Sequence, residues 1–254
     1  MTTTPSATTV RDVAASAHDL VKVYGHDEAE VRALDGVSID LYAGEFTAVM
    51  GPSGSGKSTL MHCMAALDTP TSGEASVGGT TLGSLRDKEL TRLRREKIGF
   101  VFQAFNLIPT LTAQENITLP LSLAGRDPEP EWFDRVIDAV GLRSRLAHKP
   151  SEMSGGQQQR AACARALVSR PAIVFADEPT GNLDSTSSAE VMGFLRRSVD
   201  EFGQTIVMVT HDPVAAAWTD RVVFLADGRI VEELRNPDRD SILATMARLT
   251  PQVG

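Results

Sequence analysis

GPSGSGKST occupies residues 51–59. The short apolar run FTAVM (46–50) precedes it, and TLMHCMAALD (59–68) follows with helical spacing. A strand, a glycine-rich loop and a helix in that order are the context that gives GxxxxGK[ST] its meaning. Glycine lets the backbone fold tightly, so several N–H groups point at phosphate oxygens. The helix N-terminus beyond the loop adds the positive end of its dipole. Lys57 reaches toward β- and γ-phosphates, and the Ser58 hydroxyl is a ligand for Mg²⁺, a cation that takes oxygen donors and keeps several waters. Gly51, Pro52, Ser53, Gly54, Ser55, Gly56, Lys57, Ser58 and Thr59 are therefore the expected nucleotide contacts.

Moving outward, AIVFADEP (172–179) places Ile173, Val174, Phe175 and Ala176 ahead of two acids. A buried strand ending in Asp177 and Glu178 delivers both carboxylates to the crevice where ligands bind in open α/β sheets. Asp177 is the candidate to hold the metal, through water, and Glu178 the candidate general base for an attacking water. Gln103 follows the strand-like IGFVF and can reach the metal or that water. His211 follows IVMVT and is placed to bond a γ-phosphate or to hold the catalytic carboxylate.

Strands alternate with helical stretches along the chain, which predicts an α/β fold with a mostly parallel sheet. HDLVKVYG (18–25) and VSIDLYAGE (37–45) alternate apolar and polar residues, as antiparallel half-buried strands do. EASVGGTTLGSL (74–85) predicts a hairpin with glycine turns, and RVVFLADGRIVEE (221–233) a closing hairpin turned at its ADG. DKELTRLRREK (87–97) is a charged helix. Residues 104–168 are expected to form a helical insertion, broken by Pro120 and by GRDPEP (125–130). Residues 1–15 are polar and expected to be a disordered tail. The main domain is set at 16–235. In the remaining 236–254, DSILATMARL (240–249) puts Ile242, Leu243, Met246 and Leu249 on one face, with Asp240 or Ser241 as N-cap.

The bulk numbers exclude several classes. The chain has 254 residues, and its 33 acids against 25 basic residues give a net charge of −8, which argues against nucleic acid as a partner. Cys63 and Cys163 are the two cysteines and form no CxxC, so a zinc site is not expected. No apolar run approaches the roughly 18 residues that cross a bilayer. The N-terminus lacks the pattern of a secretory signal. Direct membrane insertion is not expected.

MSGGQQQR (153–160) is the stretch that no core or ordinary loop explains. With the loop at 51–59, Gln103, IVFADE (173–178), GNLD (181–184) and His211, it resembles the nucleotide-binding subunits of ABC transporters, over roughly residues 18–233. Met153 stands where that family usually has leucine, a swap of similar volume. The resemblance implies a P-loop NTPase of the ABC ATPase fold, with an antiparallel β subdomain and an inserted helical subdomain, that binds ATP and Mg²⁺ and hydrolyses ATP. It implies that Tyr24 stacks on adenine and that Asp184 belongs to the site. It also implies a head-to-tail homodimer in which Ser154, Gly155, Gly156 and Gln157 of one chain close on the γ-phosphate held by the other. FQAFNLIPTLTAQENITLPLSLAG (102–125) and ADEPTGNLD (176–184) are similar to the subfamily of macrolide exporters, lipoprotein-releasing complexes and the cell-division ATPase. That likeness implies an integral permease partner with four transmembrane helices per subunit, a coupling groove around residues 105–121, and a place on the cytoplasmic face of the membrane. Alternatives in keeping with the same residues are an ATP-switched regulator of an extracytoplasmic hydrolase and, less in keeping, a soluble clamp protein.

Overall fold

The computed structural model describes residues 11–25 and 30–249. Residues 1–10 of the expected tail lie outside them, as do 26–29 and 250–254. The first strand, β1 (Val13–Tyr24), begins inside the expected tail, and Ala14 and Ala15 are buried. Alanine is a poor strand former, so AASA carries little strand signal. Its small side chains are nonetheless what this tightly packed face accepts.

β1 pairs antiparallel with β2 (Val31–Tyr42) on one side and with β4 (Ser72–Val77) on the other; β5 (Thr80–Thr81) completes a sheet of order β2-β1-β4-β5. Gly78 and Gly79, both at positive φ, make the turn between β4 and β5. The second sheet has the order β10-β9-β3-β8-β7-β6. Its members are β3 (Phe46–Met50), β6 (Ile98–Phe102), β7 (Ile173–Asp177), β8 (Ile206–Val209), β9 (Arg221–Ala226) and β10 (Arg229–Arg235). All neighbours are parallel except the edge pair β9–β10, closed by Asp227 and Gly228.

The parallel strands are apolar throughout because both faces are covered. Phe46, Ala48 and Met50 of β3, Val174 and Ala176 of β7, Ile206 and Met208 of β8, and Val222 and Phe224 of β9 face one core. Their alternates Val49, Ile173, Phe175, Val207, Val209, Val223 and Leu225 face the other. The second core lies between the two sheets and encloses α1 (Lys57–Met64) through Leu60, Met61, Cys63 and Met64, with Leu93 of α2 (Asp87–Lys97) at its margin.

The first core is closed by α3 (Ala113–Leu123), α4 (Pro130–Val140), α5 (Gly155–Leu167) and α6 (Ser185–Phe202). Thr112 caps α3 in a capping box with Glu115. Pro120 does not break α3, contrary to expectation. It sits in the last turn, where it removes a single backbone bond, while Ala113, Ile117 and Leu121 at four-residue spacing hold the helix to the core. α5 approaches β6 closely: a Cβ on Gly99 would lie 2.4 Å from the Ala166 carbonyl oxygen. Alanines on α5 permit that distance.

The short α7 (Pro213–Ala216) follows β8, and α8 (Arg239–Leu249) packs against it. Ile242 and Thr245 are the buried residues of α8, Met246 and Leu249 pack at the core's edge, and Leu243 is 40% exposed. The expected apolar face is therefore corrected at Leu243. The helix also starts at Arg239, so both expected caps, Asp240 and Ser241, lie inside it. Asp238 supplies the cap, its Oδ1 accepting from the Ser241 N–H at 2.8 Å.

Candidate active site

The C-terminal ends of β3, β6, β7 and β8 converge on one edge of the sheet, and each carries a residue singled out above. β3 runs into the 51–59 loop. Gly51 and Gly56 adopt positive φ, and a Cβ there would strike the carbonyl oxygens of Leu225 and Ala33, at 2.0 and 2.2 Å. The glycines are thus required by what lies beneath the loop as well as by its turn. Pro52, Ser53 and Gly54 form an exposed crest, while Ser55 is buried beneath it with its hydroxyl unpaired.

α1 begins at Lys57 with Gly56 as N-cap and no side-chain cap, and no acid lies in its first turn. Its first N–H groups are thereby left for an anion. The Lys57 ammonium bends over the loop and donates to the carbonyl oxygens of Gly51 (3.0 Å) and Pro52 (2.8 Å). Burial pulls its pKa below the usual lysine range, partly offset by Glu178 and Asp177 nearby. A bound phosphate fits this cradle. Ser58 is exposed on the first turn of α1, with Thr59 half-exposed beside it.

Asp177 ends β7, opposite Phe102 of β6 and Val209 of β8. Burial raises its carboxyl pKa, with His62 and Lys57 opposing and Glu178 adding to the rise. A half-buried carboxylate and a serine hydroxyl are hard oxygen donors, a set that suits Mg²⁺ bound by one or two protein groups plus phosphate. Glu178 follows in the left-handed region, at φ 45°, rare for a non-glycine and a place where strain marks function. Its N–H donates to the Val209 carbonyl, and its own carbonyl accepts from Gly181 at 3.0 Å. The side chain turns toward β8, where His211 Nδ1 lies 2.8 Å from Glu178 Oε1. His211 is exposed and Glu178 half-buried.

Gln103 leaves β6 and meets the 181–184 loop. Its Nε2 donates to Asn182 Oδ1 (3.2 Å), and Asn182 Nδ2 donates back to the Gln103 carbonyl (3.1 Å). A Cβ on Gly181 would press to 2.7 Å from Gln103 Nε2, so any larger residue there would displace the Gln103 amide. Asp184 is the N-cap of α6. Oδ1 accepts from Thr186 and Ser187 N–H groups and Oδ2 from the Ser187 hydroxyl, which together hold its pKa down. Tyr24 closes β1 with its ring 41% exposed. Its hydroxyl donates to Asp68 Oδ2 (2.7 Å), and Lys22, itself bound to Asp68 Oδ1, lies over the ring.

The MSGGQQQR stretch folds as the start of α5. Ser154 is its N-cap, with Gln157 as the reciprocal partner: Ser154 Oγ accepts from the Gln157 N–H and Gln157 Oε1 from the Ser154 N–H. A Cβ on Gly155 would meet Phe105 and Leu183 at ordinary distances, whereas one on Gly156 would lie 2.6 Å from Ser187 Oγ. The nearest atoms to the two glycines thus belong to Phe105, Leu183 and Ser187 of α6, and none to the 51–59 loop. Gly156 serves the packing of α5 on α6.

A model of the ABC transporter family matches residues 34–181. The chain belongs to the ABC transporter family. It is 45% identical over 241 residues to the uncharacterized ABC transporter ATP-binding protein YvcR of Bacillus subtilis, covering 91% of this chain and 93% of that one. The bacitracin export ATP-binding protein BceA of Halalkalibacterium halodurans is 42% identical, with 87% and 88% covered. The macrolide export ATP-binding/permease protein MacB of Marinobacter nauticus is 45% identical over 85% of this chain, which spans 34% of that protein's length. Among solved structures, a dimeric post-hydrolysis state of the ATP-binding cassette MJ0796, bound to ADP and Pi, superposes with a TM-score of 0.78 at 41% identity; it covers 88% of this chain and 99% of that one. MJ0796 is from Methanocaldococcus jannaschii. The fold is that of an ABC ATPase cassette. No helix among the described residues is long and apolar enough to cross a membrane.

Several contributors escaped the sequence reading. Asn182 is the partner of Gln103. Arg165 donates to the carbonyls of Asn106 (2.6 Å) and Phe105 (3.0 Å), fixing the chain after Gln103. Asp68 and Lys22 set Tyr24. Each acts through contacts between segments far apart in sequence, which no local pattern signals. The apolar segment 105–121 divides. Ala113, Ile117 and Leu121 are core, and only Leu119 and Pro120 join Phe100, Phe102 and exposed Leu123 in a surface groove of about 590 Å³ beside α2.

Proposed function

We propose that this cassette binds ATP with Mg²⁺ at the 51–59 loop and hydrolyses it with Glu178 as general base. One observation carries the reading: the 2.8 Å pair of His211 Nδ1 and Glu178 Oε1 stands at the same sheet edge as Lys57 and the uncapped start of α1. Lys57 and the α1 N–H groups hold the β- and γ-phosphates. Ser58 and Asp177, with Gln103 just beyond the end of β6, would hold the metal, which would supply charge neutralisation on the phosphates. Glu178 takes the proton of the attacking water, and His211 fixes the carboxylate's orientation. Tyr24 supplies the adenine platform.

The site within one chain lacks donors on the outer side of the γ-phosphate. Ser154, Gly155 and Gln157 are accessible at the start of α5, with Gly156 buried behind them against α6, and the positive end of that helix is open to an anion from a second copy. A head-to-tail homodimer therefore completes two sites, a reading supported by the dimeric state of the similar MJ0796 cassette. The groove of Phe100, Phe102, Pro120 and Leu123 is the proposed seat of a permease's cytoplasmic helix, placing the cassette at the inner face of the membrane. The names of MacB and BceA favour export, or force transmission through a four-helix permease, as the work performed.

Glu178→Gln tests the core of this reading. The change keeps shape and removes the base, so hydrolysis should fall by about 10²–10⁴-fold while ATP still binds. The variant should accumulate as an ATP-bound dimer in light scattering. Near-normal turnover would sink the assignment.

A further inference from the structure

The third glutamine of MSGGQQQR has no part in the site as described. Gln159 lies on α5, one turn past Gly155 and Gly156, and is wholly buried. Its Nε2 donates to two backbone carbonyls, Phe102 O at 3.1 Å and Pro179 O at 2.5 Å. Phe102 is the residue before Gln103, and Pro179 the residue after Glu178. β6 and β7 are paired as far as Phe102 opposite Asp177, and there the ladder ends. Beyond it the two chains diverge, and one amide satisfies a carbonyl from each.

A buried carbonyl without a partner is costly, so the backbone on both sides is held to wherever that amide sits. The amide's own Oε1 is buried and unpaired. A side chain that leaves one acceptor orphaned in order to place two donors is defined by what the donors hold. The loop they hold includes Glu178 at its unusual positive φ. A second side-chain tie between the segments that leave these strands, the Gln103–Asn182 pair, is exposed. Gln159 is the dry one.

We propose that Gln159 is a positioning residue for hydrolysis. It fixes the Glu178 loop and the end of β6 to the helix that carries Ser154, so that the base, Gln103 and the start of α5 keep one spacing. The inference rests on Glu178 being the base.

The test uses the full chain, with Gln159→Met matching length and volume but offering no donor. ATP turnover, KM for ATP and melting temperature are measured together. The expected result is a kcat lowered about 10- to 100-fold with KM within about threefold of the parent, because the 51–59 loop is untouched. Single-turnover rates in a Glu178→Gln background then show whether Gln159 works through the base. Gln159→Met should add little further loss there, whereas full multiplication of the two losses would overturn the inference. So would a lowered melting temperature with kcat unchanged well below it. Glu178→Gln turning over near normally would remove the base assignment and this inference with it. A slow Glu178→Gln beside a fully active Gln159→Met removes only the inference. If Gln159→Met does not fold, Gln159→Glu, of the same shape with a carboxylate facing two carbonyls, carries the same measurements. Failure of both to fold makes Gln159 a stability residue and overturns the proposal.

Discussion

At the residue scale, identical residue types carry different physics. Gly155 and Gly156 are adjacent, yet only Gly156 lacks room for a Cβ. Gly156→Ala would push a methyl into Ser187 and separate α5 from α6, so it should cost about 1–3 kcal/mol in denaturant unfolding, the usual range for overpacking. Gly155→Ala meets Phe105 and Leu183 at 3.6 and 3.7 Å and should leave stability nearly unchanged. Loss of ATPase in Gly155→Ala without loss of stability would be the mark of a surface used by a second chain. The two cysteines are likewise decided by burial. It pushes Cys63 up to about 11 and Cys163 up to about 12, from an ordinary thiol near 9. Both should resist a thiol reagent at neutral pH until the protein unfolds. The linkage has a definite sign. Above pH 9 the unfolded chain loses thiol protons that the native state keeps, so the two thiols should make stability fall as pH rises toward 11. A fall no smaller in the Cys63→Ala/Cys163→Ala chain than in the parent would contradict that burial.

At the element scale, the sequence named the type of most elements, and tertiary packing set which side of each was used. α8 illustrates the difference. Its spacing allowed Ile242 and Leu243 on one apolar face, but the groove beside α7 admits Ile242 and Thr245. Ile242→Ala should cost about 2–5 kcal/mol in chemical denaturation, and Leu243→Ala within about 0.5 kcal/mol. Equal effects would mean that α8 docks through another face. Strand β1 shows the reverse failure. AASA has no strand propensity to read, and only the neighbouring β2 and β4 draw Val13 onward into the sheet. Pro120 in α3 gave the wrong signal for a similar reason. Local chemistry predicted a break, and burial on either side of it kept the helix intact.

At the scale of the whole molecule, the proposed site gathers Lys57, Asp177, Glu178 and His211 at one sheet edge, and in the proposed dimer the outer side of the γ-phosphate falls to a second chain. Two experiments address what completes it. Chains bearing Lys57→Ala and Gly155→Asp, the latter setting a carboxylate against phosphate, should each be inactive as homodimers. Mixed, they form one site with both lesions and one with neither if the α5 start acts across the dimer, and activity should return. Cysteines at Ser53 and Ser154 in the Glu178→Gln chain should crosslink between chains when ATP is bound. The native thiols, buried and protonated, stay out of that reaction. A pair that never joins chains under those conditions would rule out the head-to-tail arrangement.

The sequence by itself determined the phosphate loop, the acid pair, the two glycine-turned hairpins and the parallel sheet. Each of these rests on residues adjacent in the chain, where a glycine spacing or an apolar run has one physical meaning. The gathering of Gln103, Glu178 and His211 was legible too, because a residue following a parallel strand arrives at that sheet's C-terminal edge. Only the tertiary structure decided that Glu178 bends at positive φ onto His211, that Asn182 holds Gln103, that Asp184 is committed to capping α6, and that Gln159 bridges two strand ends. Those contacts join segments that are 20 or more residues apart, except Asp184. They depend on inter-element distances of a few ångströms, and such distances are set by how every side chain in the two cores packs.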